Sequence, residues 1–318
     1  MASHMLALQK ELSQTGATAS VEMDRLGRIV GFLDARENEV FRVLIAPVLL
    51  WDLNCAISLA GWKKRVSSGI TTWFKVLGEV EALFSLAAFL REQDVVFPTL
   101  SDEPVFTAEV LGHPLIPHKR RVPNDVSLAP ALVITGSNMS GKSTLLRTLG
   151  VNAVLARIGA PVCAKSLVIG PLRIATSLRV RDSLGDGVSR FYAELEKIKN
   201  VVGAAHKGPT LFLLDEVLAG TNARERIAGA KDIARDLIDH GALGALSTHD
   251  VELCKLAPDT APEAEKAGAR AGVSNVHFEE QVNGEVMTFD YKLRPGIVTT
   301  SNALRLMRAL GLPVGKDS

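Results

Sequence analysis

Gly136-Ser137-Asn138-Met139-Ser140-Gly141-Lys142-Ser143 decides the reading of this chain, because it fits the phosphate-binding loop pattern G-x-x-x-x-G-K-[ST]. An apolar run suited to a buried strand, Ala131–Thr135, precedes it, and residues 144–158 after it suit a helix. Glycines let a backbone wrap around phosphate oxygens, while the loop amides and a helix N-terminus supply positive potential. In such a loop Lys142 neutralises the terminal phosphates and Ser143 ligates magnesium.

Working outward, the same alternation of apolar runs and helical stretches continues. Strands are expected at 166–169, 174–178, 210–214 and 243–247, with helices after Gly141 and Asn222 and another beginning near Ser189. Strands that are apolar throughout and separated by helices predict an α/β sheet buried on both faces. Leu211-Phe212-Leu213-Leu214-Asp215-Glu216 reads as a buried strand with two carboxylates at its exposed tip. Asp215 is placed to hold magnesium and Glu216 to polarise an attacking water. Thr248-His249-Asp250 follows the next strand, so His249 is expected beside the γ-phosphate. A hairpin is expected at 275–281 and 285–291 around Asn283-Gly284, then a last helix from Ser301; 258–272 reads as a surface loop.

Composition bounds the alternatives. A chain of 318 residues is long enough for two domains. Its 36 Lys plus Arg against 35 Asp plus Glu give a net charge of +1, so DNA contact would need a local patch, Lys63-Lys64-Arg65 or Lys119-Arg120-Arg121. Aromatics at 5% argue against rows of base-stacking rings. Three separated cysteines suggest neither a disulfide framework nor a Cys-rich zinc site, and a cytoplasmic setting is expected. Mean hydropathy of +0.18 prompts a search for a membrane span. The best stretch, residues 41–62, has an unbroken apolar run of only nine residues and is read as a buried helix. Met1-Ala2-Ser3-His4-Met5 resembles a cloning scar, which suggests a piece of a longer protein. The expected organisation is a flexible start over 1–20, a mostly helical domain over 21–100 and an α/β domain over 101–318. Residues 97–130, with six prolines, read as a connection with short strands.

At four places in order the chain resembles the MutS-type ATPases, a branch of the ABC ATPase superfamily. Thr135-Gly136-Ser137-Asn138-Met139-Ser140-Gly141-Lys142-Ser143-Thr144 is similar to TGPNMGGKST. Asp182-Ser183-Leu184-Gly185-Asp186-Gly187-Val188-Ser189-Arg190-Phe191-Tyr192-Ala193-Glu194-Leu195 is similar to DDLASGRSTFMVEM. Leu214-Asp215-Glu216-Val217-Leu218-Ala219-Gly220-Thr221-Asn222 resembles MDEIGRGTS, and Ser247-Thr248-His249 the ATH switch.

The resemblance implies a homodimer in which each ATP or ADP, with Mg²⁺, is held by one subunit's phosphate loop and capped by the other subunit. Ser189 then reaches the partner's γ-phosphate in trans, Gly220-Thr221-Asn222 crosses the interface, and Asn138 sits beside the γ-phosphate. Val122, Asn124 and His277 match the adenine contacts, while Arg121 stands near a position where the family often has a stacking aromatic. DNA is the partner the family implies, yet nothing here resembles a mismatch-reading N-terminal domain, and the long clamp helices are too short or absent. Two other readings remain: a nucleotide-gated interaction module with little turnover, and a transporter motor. Against the latter, Gly187-Val188-Ser189-Arg190-Phe191 stands where an LSGGQ signature would fall.

Overall fold

The computed structural model describes residues 2–13, 19–67, 69–92, 94–178, 190–257, 272–283 and 286–298. The chain divides into two compact units, Met1–Ala88 and Phe89–Ser318.

The first unit is helical, with α1 (Ala2–Ser13), α2 (Ala19–Asp34), α3 (Trp51–Val66) and the start of α4 (Ile70–Glu92). Its buried cluster centres on Trp62, Val66 and Trp73, with Leu26, Ile29 and Ile70 packed around them. The Trp62 indole donates to Glu22 O at 2.8 Å, so the ring is buried with its polar edge satisfied. Glu22 is itself buried and is paired with Arg25 and Arg65. The expectation of a buried helix over 41–62 is corrected. Residues Phe41–Ile45 form a π-helical turn, the chain turns through 46–50 with Leu50 at φ 46°, and α3 starts only at Trp51. Pro47 has no N–H to give a continuous helix. The apolar residues there face outward, Val48 being 81% exposed. No helix among the described residues is long and apolar enough to cross a membrane.

The second unit is mixed α/β, with two sheets and flanking helices. The smaller sheet has the order β1-β5-β2-β3, from β1 (Thr99–Leu100), β2 (Phe106–Leu111), β3 (Asn124–Leu128) and β5 (Ser166–Ile169). Stretch 97–130 carries the short strands expected of it, and they build most of this sheet. Ser166–Ile169 joins that sheet, antiparallel to β2 and parallel to β1. Local pattern reports how buried a strand is and says nothing of its partners.

The larger sheet has the order β10-β9-β4-β8-β7-β6, from β4 (Ala131–Thr135), β6 (Arg173–Ser177), β7 (Thr210–Asp215), β8 (Leu243–Ser247), β9 (Ser274–Asn283) and β10 (Val286–Pro295). All pairs are parallel except the β9–β10 hairpin. Helices α5 (Lys142–Arg157), α6 (Arg190–Ala205) and α7 (Ala223–Asp239) complete the unit. Side chains alternate across a strand, so β7 sends Leu211 and Leu213 to one core and Phe212 and Leu214 to another. The first core holds Leu145, Leu146 and Leu149 of α5; the second holds Val201 of α6 and Leu237 of α7. Gly244 is required where β8 passes β7, because a Cβ there would lie 2.2 Å from Phe212 O. With helices on both faces, the free space at the carboxyl ends of β4, β7 and β8 is where an open parallel sheet binds ligands.

Candidate functional site

Strand β4 ends at Thr135, and residues 136–141 turn the chain into α5. Gly136 and Gly141 have φ of 146° and 112°, values that disfavour any side chain. At Gly136 a Cβ would also meet Ser140 Oγ at 2.7 Å and Phe278 O at 3.1 Å. Met139 at the loop tip takes φ 68° and is 86% exposed.

Lys142, the first residue of α5, is 4% exposed and folds back under the loop. Its Nζ donates to Gly136 O at 2.8 Å and Ser137 O at 2.9 Å. It also lies 3.7 Å from Glu216 Oε1 and 3.4 Å from His249 Nε2. His249 Nε2 in turn lies 2.5 Å from Glu216 Oε1 and 3.0 Å from Asn138 Oδ1. Three sequence-distant segments thus converge on one carboxylate.

Beneath them the buried Asp215 accepts from Ser247 Oγ at 2.5 Å through Oδ1, while its Oδ2 has no hydrogen-bond partner. Ser137 Oγ and Ser140 Oγ are likewise buried without partners. Buried polar atoms are nearly always satisfied, and those left over at one spot mark where a ligand completes the set. An oxygen-only donor pair of carboxylate and hydroxyl suits magnesium, so Asp215 and Ser143 fit the expected metal contacts. The loop glycines and buried lysine suit a polyphosphate.

Backbone strain collects here too. Glu216 and Leu218, neither of them glycine, have φ of 48° and 61°. Glu216 N donates to Ser247 O at 3.2 Å, and Leu218 N donates to Glu194 Oε1 on α6 at 2.6 Å. Asn222 caps α7 by accepting from Glu225 N at 3.0 Å, and Thr221 Oγ1 donates to Glu225 Oε2 at 2.5 Å. Arg226 makes a two-pronged pair with Asp250 at 2.9 and 3.2 Å, which ties α7 to the residue after His249 and pushes the guanidinium pKa further up.

A cavity of about 740 Å³ lies in front of the loop. Ser137, Asn138, Met139, Ser140, Gly141, Lys142, Ser143 and Thr144 line one side, and Val122, Asn124, Arg121 and Glu216 also face it. A smaller cavity of about 260 Å³ on the other side of Glu216 is lined by Ser247, Thr248 and His249.

Of the residues expected near the base, Val122 and Asn124 face the cavity and His277 does not. Asn124 spends its amide on the hairpin, donating to Tyr291 O at 3.0 Å and accepting from Leu293 N at 2.7 Å. His277 does not line the cavity: its ring is buried, with Nδ1 3.0 Å from Gly296 O and Nε2 3.2 Å from Glu279 Oε1. Arg121 donates twice to Ile116 O, at 3.1 and 2.9 Å. The aromatic surface comes instead from Phe278 and Tyr291, which sequence reasoning read only as hairpin residues. A β-bulge between Phe289 and Leu293 turns Tyr291 inward, and no local signal announces it. His113 also faces the cavity; burial, then Arg147 and Arg121, holds its pKa below the usual imidazole value. Ser189 lies outside the described residues.

These features define an α/β domain with a glycine-rich strand-to-helix turn at the carboxyl end of β4. Residues 132–315 match the family model described as MutS domain V. The match spans more than half of the chain, and the chain belongs to that family.

Proposed function

We propose that this chain is a MutS-type ATPase that binds Mg-ATP in the cavity before residues 136–144 and hydrolyses it at an interface shared by two copies. The observation that carries the reading is Lys142 buried between loop carbonyls, 3.7 Å from Glu216, above an Asp215 whose Oδ2 lacks a partner. Magnesium, when bound, neutralises charge on the terminal phosphates, and Ser143 and Asp215 would hold it. Loop amides of residues 137–144 orient the phosphates, and Lys142 exchanges its carbonyl partners for phosphate oxygens. Glu216 orients water and takes its proton; His249 holds the carboxylate and reads whether the γ-phosphate is present. Ser189 of a second copy completes the site in trans, and the Gly220-Thr221-Asn222 loop lies at the interface. Val122 and Asn124 line the cavity as adenine contacts in this reading, together with Phe278 and Tyr291, whereas His277 reaches the base only through a rearranged hairpin. The cycle is coupled to a DNA transaction in a cytoplasmic setting, with Lys63-Lys64-Arg65 and Lys119-Arg120-Arg121 as candidate phosphate contacts.

One observation favours a second reading, a nucleotide-gated dimerisation module with little turnover. Glu216 is already engaged by His249 at 2.5 Å and by Lys142, so it is not presented as a free base. Phosphate release measured across protein concentration separates the two. A specific rate that rises with concentration, and falls about 100- to 1,000-fold in Glu216→Gln while ATP binding persists, is the enzyme's signature. ATP binding without release at any concentration is the module's, and turnover unchanged in Glu216→Gln removes that residue from the mechanism.

A further inference from the structure

A second group of ligand-type side chains lies at the opposite edge of the larger sheet from the phosphate loop. His206 follows the last residue of α6, Asp236 lies in the last turn of α7, and His240 caps the end of α7. Both helices end there before the chain enters β7 and β8 at their amino ends. His206 Nε2 is 2.9 Å from Asp236 Oδ2, and His240 Nδ1 is 3.5 Å from Asp236 Oδ1 and 2.8 Å from Asp236 O. The two imidazoles lie with ring centroids 4.0 Å apart. One ligand atom from each of the three residues falls within 4.8 Å of the others.

We propose that His206, Asp236 and His240 bind a divalent transition-metal ion of the zinc, cobalt or nickel class. Two imidazole nitrogens and one carboxylate oxygen form a borderline donor set, which favours these ions over magnesium with its preference for hard oxygen ligands. Zinc–nitrogen and zinc–oxygen bonds of about 2.0–2.2 Å in a tetrahedron place neighbouring donors about 3.3 Å apart. One ligand atom from each residue already lies within 4.8 Å of the others, so rotations of these half-exposed side chains, with release of any His240 Nδ1 hydrogen bond to Asp236 O, bring the donors to that spacing. Solvent takes the remaining position. Two helix C-termini meet at this point, and their carbonyl dipoles favour a cation. A bound ion would clamp α6 to α7, the helices whose other ends carry Glu194 and Asn222.

The test is calorimetric titration of the metal-stripped full chain with zinc chloride in excess magnesium, with cobalt absorption as a second readout. One equivalent is expected to bind, with affinity reduced at least about tenfold in His206→Ala and in His240→Ala. Zinc should raise the thermal midpoint by about 2–4 °C in the unaltered chain and not in the double variant. The variants are expected to fold, since their side chains are half exposed; helical circular dichroism checks this, and Asp236→Asn removes the carboxylate independently. No binding up to about 100 µM zinc, or equal affinity in all variants, overturns the proposal.

Discussion

The two ends of strand β7 are built on opposite principles. At its amino end the buried Thr210 hydroxyl donates to Gly208 O at 2.8 Å, and the strand is entered with its polar groups satisfied. At its carboxyl end Asp215 keeps an unpartnered oxygen, and Glu216 and Leu218 hold left-handed backbone angles. Between them Leu211, Phe212, Leu213 and Leu214 are fully buried. One apolar strand thus provides the stability against which the strained, under-satisfied tip is held. Backbone strain and an unpartnered carboxylate oxygen meet at the carboxyl end of β7.

Matched glycines on the two edges give the largest expected contrast. Gly136→Ala, at φ 146° and with its Cβ 2.7 Å from Ser140 Oγ, should weaken ATP binding by about 100-fold, measured by fluorescent-nucleotide titration. Gly241→Ala, at φ 73° in open space after α7, should cost about 1 kcal/mol in urea unfolding and leave ATP binding unchanged. Equal loss of binding in both would erase the distinction between the edges.

Comparable in size is the effect expected in the strand core. Leu213→Ala, wholly buried beside α5, should destabilise by about 2–5 kcal/mol by its urea midpoint. Glu216→Gly sharpens the comparison from the other side. Relief of φ 48° should stabilise the fold by about 0.5–1 kcal/mol while turnover is lost. A net loss of stability would mean that the contacts to Lys142 and His249 outweigh the strain.

Sequence legibility follows the same division. Ala131–Thr135 and Leu243–Ser247 coincide with strands β4 and β8 as expected, because runs buried on both faces must be apolar throughout. The turn at 136–141 was legible because glycine is the residue that its backbone angles demand. What escaped depends on distant partners. Ser166–Ile169 pairs with β1 and β2, and Asn124 is claimed by backbone groups of Tyr291 and Leu293. Exposure misled at 41–62, where hydropathy implied burial and Pro47 broke the helix.

The smallest effect concerns His113. Its pKa is lowered in the folded chain, so below the ordinary imidazole value the unfolded chain binds more protons. Its contribution is complete above about pH 6.5 and declines as pH falls below that value. His113→Gln should flatten the fall in urea midpoint between about pH 7 and 5. An unaltered slope would assign the acid sensitivity elsewhere.

The hydrogen bond from Leu218 N to Glu194 Oε1 fastens α6 to the turn after β7. A shift of that helix would bear on the Leu218 peptide, two residues from Glu216, like a crank on a short axle. In the proposed cycle, α6 would therefore be a handle on the timing of hydrolysis.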